Sequence, residues 1–220
     1  MSGLLAGPIG GVATAVLRAP VPLDRPMRLT ASEEGVRLTS LDGALLVGEA
    51  RPGDPVELPQ PPAPPSLEAA TAAASTFVGL KRPFHPVCFT CGVLDDGYGC
   101  RVFAGQVEGA PAGHVASPWT PHANFADEDG LTRLEVVWAA LDCPGSVAWV
   151  VQEGGGGLLG TMTCEVTRRP RADEACIVTA WPIERSGRKS LSGTALFTAE
   201  GEFLARSRQI WIGRAPMPPE

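Results

Sequence analysis

Basic side chains are the minority in this chain: 18 Lys and Arg stand against 24 Asp and Glu, for a net charge of −6. Without a Lys/Arg cluster there is no electrostatic footprint for nucleic acid, which is not expected as a partner. Long unbroken apolar runs are missing too. The apolar start, Gly3 to Leu17, has no basic flank and is interrupted by Gly7-Pro8 and Gly10-Gly11. It suits neither a membrane span nor a signal peptide, so no membrane partner is expected. Six cysteines in 220 residues do not make a disulfide scaffold, which points to reduced thiols and a cytoplasmic location. No Ser-His-Asp arrangement or nucleophile elbow is present, and His114 and His122 stand alone in loop-like sequence. Gly154–Gly157 lacks both a Lys and a following helix, which makes it a mobile loop rather than a phosphate cradle.

What is there centres on Arg133–Pro144, RLEVVWAALDCP. Leu134, Val137, Trp138 and Leu141 fall at i, i+3, i+4 and i+7, one face of a helix, and Val136, Ala139 and Ala140 fill most of the rest. A helix apolar nearly all round is buried. It nevertheless carries Asp142, and a carboxylate so placed is either hydrogen-bonded or functional. Pro144-Gly145 are expected to end the helix.

In chain order, residues 9–19 predict a short helix opened by Gly10-Gly11 and closed by Pro20, followed by strands at 26–32, 36–42 and 45–50 with a hairpin turn at Asp42-Gly43. Arg51 to Pro65 holds seven prolines in fifteen residues, a stiff extended connector. Ser66 caps an Ala-rich helix over about Leu67 to Val78. Residues 84–100 are turn-rich. Strands are expected near 100–105, 113–119, 147–152, 158–168, 175–184, 189–199 and 202–212, with the buried helix at 131–143. One buried helix followed by long β runs predicts an α+β layout, an antiparallel sheet wrapped around the helix.

An internal repeat adds to this. Residues 9–20 align without gaps on 133–144, and residues 35–50 align on 193–208 with Leu38, Gly43 and Leu46 meeting Leu196, Gly201 and Leu204. The N-terminal part is therefore expected to be a second, shortened copy of the helix-plus-sheet unit.

The phrases WAALDCPG, CFTCG and RSGRKSLSGTALFTAEGEFLARSRQIWI, in this order, resemble the hotdog-fold acyl-CoA thioesterase superfamily, in which a long helix is wrapped by a curved antiparallel sheet. The resemblance covers about 84–212, with a partial echo in 1–50. In its phenylacetate-pathway type the helix opens with His-Gly-Gly and carries a carboxylate nine residues after the His. Asp142 matches that carboxylate, whereas Arg133-Leu134-Glu135 replaces His-Gly-Gly. At the N-terminal helix Gly10-Gly11 is kept, with Ile9 and Arg18 at the His and carboxylate positions.

The resemblance implies one composite site between two units, with Gly10 and Gly11 supplying backbone N–H groups at a helix start, Asp142 the carboxylate, and Thr161 an assisting hydroxyl. A helix start offers N–H groups to a developing oxyanion, and a partly buried carboxylate suits a base or nucleophile. The expected function is hydrolysis of acyl-CoA-type thioesters, with CoA thioester as substrate and no cofactor. The alternative is a non-catalytic hotdog protein binding acyl-CoA or a small apolar ligand. The dehydratase branch of the fold is disfavoured, since it uses a His after the helix Asp and none follows Asp142.

His85, Cys88, Cys91 and Cys100 spell H-x2-C-x2-C-x8-C, which permits zinc, but the long last spacing and the absence of a second CxxC make a buried turn with two thiols the default and no metal the expectation. Arg18 is expected as a solvated helix-end cation. The boundaries expected are a shortened hotdog-like unit at 1–50, connector and Ala-rich helix at 51–83, a full hotdog unit at 84–214 and a tail at 215–220. Uncovered sheet edges of the shortened unit predict a homodimer or larger.

Overall fold

The computed structural model describes residues 1–83, 85–94 and 99–213. Phe84 and residues 95–98 of the turn-rich stretch, and the expected tail, lie outside the described residues. The helices are α1 (Ser2–Ala6), α2 (Leu67–Ala74) and α3 (Leu134–Glu153). The first four strands are β1 (Ala13–Leu17), β2 (Met27–Ser32), β3 (Gly35–Ser40) and β4 (Leu46–Pro52). The other six are β5 (Gly105–Gln106), β6 (Val115–Trp119), β7 (Leu158–Val166), β8 (Cys176–Ser186), β9 (Lys189–Thr198) and β10 (Phe203–Ile212). All pair antiparallel in one sheet ordered β2-β3-β4-β1-β7-β10-β9-β8-β6-β5.

That order contains the same unit twice. In α1-β1-β2-β3-β4 the strand after the helix pairs with the last strand, the last with the third and the third with the second; α3-β7-β8-β9-β10 does the same. The two units join through β1 and β7, where Thr14 lies opposite Thr163 and the two hydroxyls are 2.9 Å apart. Local details repeat as well. The Gly43 N–H donates to the Ser40 carbonyl and the Gly201 N–H to the Thr198 carbonyl, closing the β3–β4 and β9–β10 turns. Arg18 and Ala19 both donate to the Val47 carbonyl; Thr167 and Arg168 both donate to that of Leu204.

The register of the repeat differs from expectation at its first half. Residues 9–19 are not a helix: α1 comes earlier, Gly10 and Gly11 take φ of +71° and +56°, and Ala13–Leu17 is a strand. The apolar spacing in VATAVL fits period two as well as 3.6. Ala13 and Ala15 face the helix side of the sheet while Thr14 and Val16 face the other way, and the strand completes its bonding between β4 and β7. The alignment of 35–50 on 193–208 does match equivalent hairpins.

The second correction concerns α3. It does not stop at Pro144 but runs through it to Glu153, so the strand expected at 147–152 is its last turns. Val147, Ala148, Trp149 and Val150 are buried there, and Gly154 closes the helix in the left-handed conformation at φ 72°. The strand expected at 100–105 shrinks to Gly105–Gln106, and α2 ends at Ala74 rather than Val78.

One core joins α3 to the sheet and to α1: Val137, Trp138 and Leu141 pack with Met162, Cys164, Leu196 and Leu204, and Leu5 of α1 belongs to the same cluster. α3 is long and apolar enough to cross a membrane by composition, but 67% of its most apolar window is buried in this core. The opposite face of the sheet is covered by α2, whose Ala70 and Ala73 pack on Val107, Ala116 and Ile177. The proline-rich connector runs over that same face, past Phe197, Phe203 and Arg206.

Candidate functional site

Pro144 decides the geometry around Asp142. Without an N–H it leaves the Ala140 carbonyl lacking its helical donor, and helices bend and widen at such places. Neighbouring helix carbonyls take side-chain donors from both sides: the Thr90 hydroxyl donates to Ala139 at 2.9 Å, and the Gln209 amide donates to Leu141 at 2.7 Å. The Ser192 hydroxyl donates to the Gly145 carbonyl at 2.7 Å. Gln209 is wholly buried and also accepts from Trp211 Nε1 at 2.9 Å and donates to the Ser207 hydroxyl at 3.2 Å. A Cβ at Gly145 would collide with the Gln209 amide, so this glycine is a matter of close approach rather than of helix termination.

Thr90 belongs to the CFTCG turn, which the chain therefore docks against α3 beside Pro144. The turn is tightly made. The Gly92 N–H donates to the Cys88 carbonyl at 2.7 Å, and a Cβ at Gly92 would collide with the Cys88 backbone. Cys100 and Val102 then donate to the carbonyls of Phe89 and Thr90 at 2.7 and 2.8 Å, holding the returning chain. The consequence is a thiol cluster: the sulfurs of Cys88, Cys91 and Cys143 lie within 4.8 Å of one another, with Cys88 and Cys143 3.5 Å apart. Cys88 and Cys143 keep partial exposure and Cys91 is buried.

Asp142 adjoins this cluster. Some of its surface remains accessible, but its carboxyl is surrounded by protein. Burial pushes the carboxyl up to about 7; the chain's N-terminal ammonium pulls it down, and the Cys88 thiolate adds to the rise. Hydrogen bonds from Cys143 and Cys91, outweighing burial, hold the Cys88 thiol far below its ordinary range, with the backbone N–H groups of Cys91 and Thr90 assisting. Cys143 is pushed far up by Cys88, Cys91 and burial. The three thiols are thus coupled to one another through their sulfurs.

Of the residues expected to form the site, Asp142 lies within α3 with its carboxyl enclosed, beside the thiol cluster. Gly10 and Gly11 are exposed, with open space where a Cβ would be, and no helix begins there, so the N–H groups of a helix start are not offered at that position. Thr161 points to the face of the sheet away from α3: its neighbour Met162 packs on the helix, and side chains alternate along a strand. Arg18 is no helix-end cation. It lies just past β1 and pairs with Glu49 of β4 at 2.6 Å.

The H-x2-C-x2-C-x8-C pattern is not assembled as such, because Cys143 and not Cys100 completes the sulfur group. Cys143 was missed for a simple reason. It lies 52 residues after Cys91, and the signal available was that CFTCG and WAALDCPG each pair a cysteine with a backbone-breaking residue. His122 accepts from the Asn124 N–H at 3.1 Å, a local cap. His114 bonds Thr179 at 2.9 Å and lies in a cleft of about 650 Å³ with Pro61, Pro62, Gln152, Trp181 and Pro182, which Asp142 does not line.

No family model matches the chain, and no curated protein does. Solved structures do. Zebra fish thioesterase superfamily member 2 is 17% identical, with a TM-score of 0.50 over 62% of this chain and 97% of that one. A further thioesterase superfamily protein is 18% identical with a TM-score of 0.47 over 52% of this chain, which spans about half, 55%, of that protein. The PaaI protein of the phenylacetic acid degradation operon of E. coli is 12% identical, with a TM-score of 0.43 over 47% of this chain and 78% of that one. At such identities the likeness concerns architecture: a long helix laid on a large antiparallel sheet, here with a second, shortened unit joined edge to edge. The chain has the hotdog fold of the thioesterase superfamily proteins it resembles.

Proposed function

We propose that this chain hydrolyses acyl-CoA-type thioesters and that Asp142 is the catalytic carboxylate. The observation that supports this is Asp142 itself: a carboxyl enclosed by protein on the central hotdog helix, with its pKa raised to about 7. A group so poised exchanges protons readily at neutral pH and activates water as a general base once ionised. The reading no longer uses Thr161 or a helix start at Gly10-Gly11. Activity should rise with pH through about 7 as Asp142 ionises. Against a panel of acyl-CoA esters, with released CoA followed by chromatography, Asp142→Asn is expected to lower kcat/KM by about 100-fold or more, the usual weight of a general base. Full activity in Asp142→Asn on a good substrate would sink the reading.

One observation favours a non-catalytic binding role. The helix of the N-terminal unit is a single turn that starts at Ser2, so Gly10 and Gly11 offer no helix start to a substrate carbonyl. Tight CoA binding by calorimetry without turnover across the panel would favour that role. The expected homodimer also remains a proposal, supported by the exposed edge strand β2 and its half-exposed Leu29; a monomer in light scattering would remove it.

A further inference from the structure

We propose that Cys88, Cys91 and Cys143 form a zinc site, with the three sulfurs as ligands and the fourth coordination place open to solvent. The proposal is independent of thioester hydrolysis. Three features of the fold carry it. First, four-coordinate zinc with sulfurs at about 2.3 Å holds them roughly 3.8 Å apart. Here Cys88 and Cys143 are already 3.5 Å apart, and all three sulfurs lie within 4.8 Å of one another. No backbone movement is needed to bring them round one ion.

Second, the CFTCG turn holds its two cysteines in a fixed loop: the Gly92 N–H closes the turn on the Cys88 carbonyl at 2.7 Å, and a Cβ at Gly92 would collide with the Cys88 backbone. The turn is also anchored from outside, by the Thr90 hydroxyl on the Ala139 carbonyl at 2.9 Å. Third, Cys143 comes from a different element, one residue before Pro144 on α3. The ion would therefore cross-link the turn to the central helix at its bend.

The donor set chooses the metal. Three thiolates without a carboxylate in the cluster are soft, which selects zinc over magnesium or calcium. Partial exposure of Cys88 gives the ion a route in and leaves the fourth place to water. Binding balances by proton release: the thiol protons of Cys88, Cys91 and Cys143 leave to solvent as the Zn–S bonds form, so affinity climbs with pH.

The test uses the full-length chain, purified reduced. Elemental analysis is expected to give about one zinc per chain, and cobalt(II) added to chelator-stripped protein should give the intense thiolate charge-transfer and d–d bands of a tetrahedral sulfur site. Cys143→Ser should weaken zinc binding by more than about tenfold, while Cys100→Ser leaves the stoichiometry unchanged. Should Cys143→Ser fail to fold, alkylation mapping of the wild type decides: zinc should shield Cys88, Cys91 and Cys143 together. A reduced chain that takes up neither zinc nor cobalt, uptake indifferent to Cys143, or alkylation of the trio unchanged by zinc would each overturn the proposal.

Discussion

The two units of this chain share a strand order and differ in their helix. α3 has twenty residues and α1 has five, yet β1-β4-β3-β2 and β7-β10-β9-β8 are laid out alike. The difference separates what the sheet needs from what the site needs. Strand pairing across β1 and β7 rests on backbone hydrogen bonds and the Thr14–Thr163 hydroxyl contact, so the N-terminal unit can lose most of its helix and still extend the sheet. A site needs a helix long enough to carry a carboxylate, a bend and a thiol past a facing turn. Only α3 does this.

The largest effect should come from cutting the packing of each helix. Leu141 and Leu5 are both wholly buried in the same cluster. Leu141→Ala opens a cavity between α3 and the sheet, where the helix is rigidly held by Gln209 and Ser192, and should cost about 3–5 kcal/mol. Leu5→Ala lies in a single turn that can settle into the gap, and about 2 kcal/mol is expected. Urea unfolding of both variants checks this. Equal costs would mean that α1 is as firmly built in as α3.

A middle-sized effect isolates the carboxyl that α3 buries. The folded pKa of Asp142, about 7, lies above its ordinary 3.8, so the folded chain holds a proton that the unfolded chain has lost between those values. Stability from this group is therefore greatest in acid, falls as pH rises from about 4 to about 7, and is flat beyond. Between pH 5 and pH 8 the fall should be about 2 kcal/mol, after allowance for the part of Asp142 that water reaches. Asp142→Asn should abolish that slope and stabilise the chain at pH 8. An unchanged slope in Asp142→Asn, measured by denaturant titration, would place the carboxyl in water.

How much of this was legible beforehand follows from what each signal depends on. The β3–β4 and β9–β10 hairpins were readable because Asp42-Gly43 and Glu200-Gly201 are local turn chemistry, and Leu38 and Leu196 keep period two around them. Residues 9–19 were not, because VATAVL satisfies both periods and only the vacancy between β4 and β7 decides for strand. Pro144 reads as a stop on local grounds; the donors to the helix carbonyls around it, Thr90 and Gln209, come from 54 residues before and 65 after. Asp142 could be picked out because a carboxylate among apolar residues is odd wherever it sits. The sulfur cluster could not, since it exists only once the CFTCG turn meets the bend.

The smallest effect offers the finest test of the likeness between the units. Gly43 and Gly201 occupy equivalent turns, with φ of +75° and +90°. A Cβ at Gly43 would meet nothing within 4 Å, and one at Gly201 would only touch Pro64 Cγ at 3.9 Å, an ordinary contact. Neither substitution is opposed by crowding. What an alanine meets is the left-handed backbone alone, at about 1 kcal/mol in each case. Gly43→Ala and Gly201→Ala should therefore lower the unfolding midpoint by the same amount, although one hairpin lies in the exposed unit and the other in the core of the full one. A cost at Gly201 several times that at Gly43 would mean that the connector through Pro64 is braced against the β9–β10 turn, and that the two hairpins share their geometry but not their surroundings.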